Sequence, residues 1–539
     1  MKFESNISGT FLPREVAAFI GESRLRAVLK MQPCHFIVEE LQKKFQTTFS
    51  GKSDLPPNMV TDQNTGYIGL IMLCDRQTTA AGIEKLRAML GLPRHVRIST
   101  GGLKDRWAWT SQLSVIPYKD MEKLKQILSR QGTFEEAMRR FGVFFKDPHW
   151  VKGHLGKGHL EGNRFSIKVL VEGAPKDVLV NYMEAAMDKA RSMKETTALA
   201  NVAKAMRLAD GDVLVPNAYG NQRKGARQNL DKIGEILVNF GAEAAFKEFL
   251  LATTSNEGHR ARDLRREMAK EWNEAEEVIA EQRRRASESG DIAEIERTAK
   301  LEVIKMRMHL QGMLEVLEKP DRFANNRPAY EVCNMVYEWK LVRAMFVHLD
   351  YETVLRDPEV KDDVSLWFGA YQGYFFNQLQ KKTQTGELHL ETMIEETGKV
   401  IDSIVDSLTD PRIDKKRLKD SFLRNLQLME VPLFSCEPVA MWFYQRFMPE
   451  AIPTQIDPLV RELFMGAGNN NKGPWRPPYV VPKGLEWFCE DGEVNFRFTL
   501  RSGAYATTFL GSLFNLVEAK KENNRNKNKN KKKFYGNRR

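Results

Sequence analysis

The sequence has few cysteines, and no two of them form a Cys-x-x-Cys pair. Its 539 residues include five, at Cys34, Cys74, Cys333, Cys436 and Cys489. Cysteines scattered in this way argue against a zinc ribbon and against the disulfide framework of a small secreted domain. They are typical of a protein in a reducing compartment. We therefore expect a soluble, cytoplasmic protein, or a nuclear one if the source is eukaryotic.

Long apolar runs are also missing. No stretch of about 18 or more apolar residues occurs, so we expect no membrane-spanning helix and no membrane partner. The first five residues lack the apolar segment of a signal peptide. Hydrophobic residues still make up 42% of the chain and aromatic residues 10%. At this length, that composition predicts two or three folded domains.

Acidic residues are nearly absent from the C-terminal end. Most of the net charge of +11 lies in residues 520–539, which contain ten Lys or Arg residues and a single Glu. Such a segment of Lys and Asn has too little apolar surface to fold, so we predict a disordered basic tail. Basic tails often bind nucleic acid. A solubilising end without a partner is an equally good interpretation.

A carboxylate between two cations is the most informative local feature. Asp105 is flanked by Lys104 and Arg106, and two glycines, Gly101 and Gly102, precede it. Nearby positive charge favours the ionised form of a carboxylate, and glycine permits a sharp backbone turn. An ionised aspartate presented in this way suits a nucleophile or a base. Taken alone, the same cluster is more often an exposed ion-paired turn.

Six segments, in order, resemble the TruD family of RNA pseudouridine synthases. Residues 102–112 match the pattern Gly-x-Lys-Asp-Arg/Lys-x-Ala-x-Thr-x-Gln, which carries the catalytic aspartate of that family. The other matching segments are 29–40, 162–165, 216–225, 372–377 and 502–507. Together they extend over most of the chain. The chain departs from the family pattern at Cys34-His35, where the family has Glu-Asp, and at Ala218 and Lys224, where it has aromatic residues.

The resemblance implies a role for each matching residue. Asp105 is expected to be catalytic, and Phe165 to stack on the target uracil. Asn163 lies two residues before Phe165 on the same strand face and is expected to hydrogen-bond Asp105. The other predicted active-site residues are Lys30, Glu40, Lys104 and Arg106. The other predicted substrate-binding residues are Asn217, Gln222 and Arg223. Without the resemblance, an ordinary core position is the simpler interpretation of Phe165.

The resemblance implies isomerisation of a uridine to pseudouridine in a structured RNA, with tRNA and its uridine 13 as the expected target. The reaction changes no oxidation state, so we expect neither a metal nor a small-molecule cofactor. A buried base must be flipped out before it can react. The aspartate could attack the nucleoside or take a proton from the sugar. A monomer is expected. The alternative is an RNA-binding chaperone of the same fold whose activity is vestigial.

The expected fold class is α+β. The resemblance implies a discontinuous pseudouridine synthase domain with a mixed sheet, formed by residues 1–212 and 483–519, with a mainly helical TRUD domain, 213–482, inserted in it. Short apolar or alternating runs predict strands at 68–74 and 165–171, and helical spacing predicts a helix at 120–128. From about residue 229 onward the pattern is almost wholly helical.

Two hairpins are predicted from turn signals. Residues 257–319 are rich in Arg and Glu and contain Gly290-Asp291 near the middle, which predicts two long antiparallel helices that bury little surface. We interpret this charged arm as a device for substrate selection, and a solvated spacer or a protein-docking arm is about as good an interpretation.

Asp491-Gly492 predicts a β-hairpin between 485–489 and 494–500. A helix over 504–519 is expected to close the fold.

Overall fold

The structure is a computed structural model of the chain. It describes residues 8–10, 24–42, 45–46, 59–93, 95–102, 104, 107–155, 160–192, 199–220, 224–225, 227–409, 411, 413–435, 437–452, 456, 458–464 and 475–518. The chain divides into two compact units, Met1–Asn217 with Tyr479–Arg539, and Ala218–Pro478. The boundaries predicted from the sequence, after 212 and after 482, lie within five residues of this division. The predicted tail lies outside the described residues.

Strands and helices are numbered in chain order. The strands are β1 (Ser8–Thr10), β2 (Arg26–Leu29), β3 (Phe36–Gln42), β4 (Phe45–Gln46), β5 (Tyr67–Asp75), β6 (Ser99–Thr100), β7 (Trp109–Pro117), β8 (Val143–Trp150), β9 (Leu160–Leu170), β10 (Val215–Pro216), β11 (Pro320–Asp321), β12 (Arg327–Pro328), β13 (Val431–Pro432), β14 (Trp475–Arg476), β15 (Tyr479–Val480), β16 (Lys483–Glu490), β17 (Glu493–Arg501) and β18 (Asn515–Glu518). The helices are α1 (Thr79–Leu90), α2 (Met121–Ser129), α3 (Phe134–Phe141), α4 (Lys176–Ser192), α5 (Ala200–Ala205), α6 (Leu230–Leu251), α7 (His259–Ser289), α8 (Ile292–Glu318), α9 (Ala329–Val332), α10 (Val336–His348), α11 (Tyr351–Arg356), α12 (Pro358–Gln384), α13 (Leu390–Asp406), α14 (Lys415–Gln427), α15 (Pro438–Phe447), α16 (Pro458–Phe464) and α17 (Ala506–Leu513).

The first unit is built on a mixed sheet. Its main path runs β1-β18-β2-β9-β3-β7-β5-β8, and β17 pairs with β9 and β16 beside it. The pairs β18–β2 and β3–β7 are parallel, whereas β9 pairs antiparallel with β2, β3 and β17. The expected α+β class and mixed sheet are therefore confirmed.

Burial along the strands follows the predicted patterns. Residues 68–75 of β5 are all buried, as expected for a central strand. On β9 the side chains of Phe165, Ile167 and Val169 are buried, and they form a core with side chains of α4 and α17. Helix α2 begins after Asp120, whose side chain accepts a hydrogen bond from the Lys123 amide. The predicted strands and helix are confirmed.

The C-terminal β-hairpin is confirmed, but the helix predicted over 504–519 is wrong in its second half. Gly492 takes φ 73° in the turn between β16 and β17. Helix α17 ends at Leu513, and the backbone is already extended at Phe514. Residues 515–518 instead form β18, which pairs in parallel with β2. The partner strand lies nearly 500 residues earlier in the chain, so no local pattern could reveal this pairing.

The second unit is mainly helical, as expected, and contains the predicted helical hairpin. Helix α7 ends at Ser289, and Gly290 follows it in the left-handed conformation with φ 66°. Asp291 caps the start of α8. The expectation that these helices bury little surface is wrong near their base. Trp272 and Met268 of α7 and Leu310 of α8 are buried there. Within the described residues, no helix is both long and apolar enough to cross a membrane.

Candidate active site

Lys104, Glu40 and Asn163 form a polar cluster in which the side chains of Lys104 and Glu40 are buried and Asn163 is half-buried. The Lys104 ammonium lies 2.9 Å from Glu40 Oε1 and donates a hydrogen bond of 3.0 Å to Asn163 Oδ1. Glu40 lies on β3 directly opposite Asn163 on β9, because the antiparallel register pairs these two positions. The sheet therefore brings together three of the predicted site residues. Asp105 and Arg106, the next two residues, lie outside the described residues.

Glu40 is held on two sides. Its side chain is 0% exposed, and its Oε2 accepts a hydrogen bond of 3.0 Å from the amide of Leu113 on β7. A buried carboxylate is tolerated only when it is paired and hydrogen-bonded. A Cβ atom at Gly101 would lie 2.9 Å from Glu40 Oε1. This glycine was predicted for its backbone freedom, and here it also leaves room for the carboxylate.

The backbone of Lys104 is anchored as well. Its amide donates a hydrogen bond of 2.9 Å to Thr79 Oγ1, and the Thr79 hydroxyl donates in turn to Gln112 Oε1 at 3.2 Å. Thr79 and Gln112 are both buried. Gln112 belongs to the segment that resembles the family, whereas the local sequence around Thr79 has no feature that points to the site. Sequence reasoning missed Thr79 for that reason.

Lys30 follows β2 and binds the segment that comes after Asp105 in the sequence. It adopts a left-handed conformation with φ 61° and is buried. Its carbonyl accepts a hydrogen bond of 2.7 Å from the indole of Trp107. Its ammonium lies 4.6 Å from the centroid of the Phe36 ring. Lys30 thus binds Trp107, two residues after Asp105 in the sequence. Thr79 binds Lys104, one residue before Asp105.

The departure from the family pattern at His35 changes the charge of that position. Burial lowers the pKa of His35 below its ordinary value, and the charge of Lys168 lowers it further, against an opposing effect of Glu493. The lowered pKa favours the neutral imidazole at a position where the family pattern has a carboxylate. Cys34, which also departs from the family pattern, has its Sγ 3.5 Å from Gln32 Oε1.

Phe165 lies in the core of the first unit. It is 6% exposed, with its ring stacked 5.5 Å from Phe498 and edge-on 6.2 Å from Phe36. The ring shares the strand face of Asn163, as the alternation of β9 requires. Its role in stacking on uracil stays a prediction.

The predicted substrate-binding segment around residue 217 is described only in part. Asn217 is buried and follows β10, which pairs with β15. Gln222 and Arg223 lie outside the described residues. The roles predicted for these three residues are untested.

In the second unit, the matching segment 372–377 binds the backbone and packs against the ring of Tyr219. The Asn377 side chain accepts a hydrogen bond of 2.8 Å from the Tyr219 amide and donates one of 2.9 Å to the Tyr219 carbonyl. The Arg476 guanidinium lies 4.1 Å from the centroid of the Tyr219 ring. Ring atoms of Tyr219 would lie 3.2 Å from a Cβ atom at Gly373. Asn377 was not predicted as a functional residue, although it lies in a matching segment.

Comparison with known proteins agrees with the resemblance to the TruD family. The family model described as tRNA pseudouridine synthase D (TruD) matches residues 19–311, which is more than half of the chain. The chain belongs to the TruD family. Every site residue predicted above lies within the segment that this family model matches.

Two TruD relatives illustrate how far the similarity extends. The chain is 28% identical over 209 residues to a probable tRNA pseudouridine synthase D 1 of Methanococcus maripaludis, which covers 37% of this chain and 43% of the relative. The match therefore spans less than half of that relative. A crystal structure of a putative TruD from Methanosarcina mazei is 15% identical, with a TM-score of 0.47 over 93% of this chain and 98% of that one.

Proposed function

We propose that this protein isomerises a uridine of tRNA, uridine 13, to pseudouridine, with Asp105 as the catalytic carboxylate. The observation that carries the proposal is the buried pair of Lys104 and Glu40, both within the segment matched by the TruD family model, because Lys104 immediately precedes Asp105 in the sequence. We further propose that it acts as a monomer in the cytoplasm. The catalytic domain would be formed by residues 1–212 and 483–519, with 213–482 inserted.

The reaction breaks the N-glycosidic bond of uridine, rotates the uracil, and joins its C5 to C1′ of the ribose. The proton on C5 is then lost, and N1 gains one. Asp105 serves either by attacking the nucleoside or by taking a proton from the sugar. The chain is anchored on both sides of Asp105 in sequence, because the Lys104 amide donates a hydrogen bond to Thr79 and the Trp107 indole donates one to the Lys30 carbonyl. Anchored neighbours reduce the reorganisation that a catalytic group needs during a reaction.

The target base has to leave its stack to reach Asp105. A flipped base is usually held by an aromatic ring and by hydrogen bonds to its edges. We assign the ring to Phe165 and contacts with the RNA to Asn217, Gln222 and Arg223. The buried position of Phe165 implies that Phe498 or Phe36 shifts when the base enters.

The decisive experiment is single-turnover modification of a tRNA transcript by the purified protein, with pseudouridine mapped at nucleotide resolution. Asp105→Asn keeps the shape of the side chain and removes its charge, so we expect it to abolish the product while RNA affinity stays close to that of the wild type. Glu122→Gln, an exposed carboxylate on α2, is the matched control. Pseudouridine formation by Asp105→Asn at a substantial rate would show that another residue carries the chemistry.

The same assay separates the enzyme from a vestigial chaperone. A wild-type protein that binds and refolds the transcript without forming pseudouridine would support the chaperone. Mapping pseudouridine in total RNA from cells with and without the protein then identifies the modified site. If the two maps are identical, the enzymatic proposal is excluded.

A further inference from the structure

The distal part of α8 carries an apolar stripe that faces solvent. Leu301, Ile304 and Met308 are 39%, 54% and 61% exposed. Burial of α8 begins only at Leu310, where the helix packs into the body of the second unit. Single exposed apolar residues are common, but three in successive helical turns form a contiguous patch of the kind found at protein interfaces.

The stripe is bordered by cations that have no acidic partner among the described residues. Arg297, Lys300 and Arg307 are exposed, and no carboxylate within the described part of the chain lies at ion-pair distance from any of them. The arginines of α7 differ. Exposed arginines of that helix bind carboxylates of the arm itself: Arg266 with Asp263, Arg283 with Glu302, Arg284 with Glu281 and Glu288, and Arg285 with Glu281.

Helical spacing places these residues on one face. Arg297, Leu301, Ile304 and Met308 follow one another at intervals of four, three and four residues, which is the spacing of a single stripe. Lys300 and Arg307 lie within four residues of Ile304 and border the stripe. The acid nearest to its centre, Glu302, is bound to Arg283 of α7 and so points to the other side of α8. Between residues 297 and 308, the outer face therefore has an apolar centre and a basic border.

RNA fits this face less well than a protein helix. The phosphate backbone binds cations but offers no apolar surface to three aliphatic side chains in the centre of the face. The arm as a whole also has no net positive charge to attract a long nucleic acid from a distance, since α7 contains eight basic and eight acidic residues and α8 four and five. The three cations of this face act only on a partner that is in contact with it. A second copy of the chain fits poorly too, because a twofold contact would bring the same cations together.

We propose that the outer face of α8, formed by Arg297, Lys300, Leu301, Ile304, Arg307 and Met308, docks an acidic amphipathic helix of a partner protein. The partner's apolar stripe would cover the aliphatic centre, and its flanking carboxylates would pair with the free cations. The inner face of α8 already binds a helix in this way, because α7 contributes apolar contacts together with the pair of Arg283 and Glu302. The inference does not depend on the proposed reaction.

The test uses the full-length protein and two synthetic 21-residue helices as probes. Both carry leucine at the a and d positions of a heptad, and one has glutamate and the other lysine at the flanking positions. Binding is measured by fluorescence anisotropy across a salt series. We expect the glutamate helix to bind at least about tenfold more tightly than the lysine helix, because complementary charge steers the choice of partner.

Three variants locate the binding face. The triple change Leu301→Ser, Ile304→Ser, Met308→Ser should weaken binding of the glutamate helix by more than about tenfold, since the aliphatic centre is lost. The triple change Arg297→Gln, Lys300→Gln, Arg307→Gln should reduce both affinity and salt dependence. The matched control is Arg266→Gln, Arg284→Gln, Arg285→Gln on α7, which should bind like the wild type. All nine positions are exposed, so the variants should keep the wild-type melting temperature.

Several results would overturn the proposal. These are equal binding of both probes, no binding of either, or unchanged binding by the serine variant. Self-association of the wild type that the serine variant abolishes would assign the face to a second copy of the chain. Binding of a tRNA transcript that depends on the three α8 cations but not on the aliphatic residues would assign it to RNA.

Discussion

Two regions of this protein use opposite charges in different ways. The pair of Lys104 and Glu40 is enclosed in the sheet, with side chains 5% and 0% exposed, and each partner has a further hydrogen bond. The pair of Arg284 and Glu281 on α7 has a similar length, 2.8 Å, but its side chains are 58% and 41% exposed. Water solvates the second pair when it separates, whereas the first has no such alternative. Burial, rather than distance, decides which pair the structure depends on.

Breaking the buried pair should produce the largest effect. Lys104→Met leaves Glu40 charged and enclosed, so we expect a loss of about 3–5 kcal/mol in the free energy of unfolding, measured by urea denaturation. Modification of tRNA should be lost as well. The double variant Lys104→Met, Glu40→Leu removes both charges and should regain much of the stability without regaining activity. A single variant as stable as the wild type would show that the pair is not enclosed in solution.

Variants of Phe165 test whether a core side chain also contributes to catalysis. Phe165→Ala should cost about 3–5 kcal/mol of stability, because it removes a ring packed against Phe498 and Phe36. Phe165→Leu keeps much of the apolar volume but has no flat face. If the ring stacks on uracil, this variant should lose on the order of 1–3 kcal/mol of transition-state stabilisation in kcat/KM, with a smaller loss of stability. Wild-type kinetics in Phe165→Leu would make Phe165 a core residue only.

Gly101→Ala should disturb the geometry of the buried pair without removing a charge. The added methyl group would lie 2.9 Å from Glu40 Oε1, so the carboxylate has to move away from Lys104 or from the Leu113 amide. Overpacking of this kind costs roughly 1–3 kcal/mol. We expect a drop in turnover with a moderate loss of stability, measured by single-turnover kinetics and urea denaturation. Gly211→Ala, where a Cβ atom meets nothing within 4 Å, is the control and should behave like the wild type.

Changes in the exposed pairs should have the smallest effect. Arg284→Gln removes the partner of two solvated carboxylates, and we expect no measurable shift in the unfolding midpoint. Hydrogen bonds from Arg284 and Arg285 lower the pKa of Glu281 to about 2. A carboxyl group with a lowered pKa stabilises the fold above its ordinary range and loses that contribution as the pH falls toward 2. Acid titration of Glu281 by NMR checks the sign, and an ordinary pKa there would show that the pairs do not persist.

Much of the fold could be predicted from local patterns. The central strand β5, the alternation of β9, the turn at Gly290 and the hairpin at Gly492 all depend on residues close together in sequence. The C-terminal end could not be predicted in this way. Residues 515–518 contain two polar and two apolar residues, too short a pattern to separate a helix end from a strand, and pairing with β2 decided between them. Pairing with a distant strand overrides local preference because it satisfies backbone groups that a helix end leaves open.

The candidate site shows the same division. The sequence by itself determined which residues are chemically suited, because the order of Lys104, Asp105 and Arg106 and the other matching segments are visible in one dimension. The resemblance to the TruD family also predicted that Lys30, Glu40 and Asn163 belong to the same site. Only the tertiary structure decided the contacts. The register of β3 and β9 puts Glu40 opposite Asn163, and the approach of α1 gives Lys104 its anchor at Thr79. These contacts join residues far apart in the chain, so their distances depend on how the strands pair and how α1 packs rather than on any local sequence pattern.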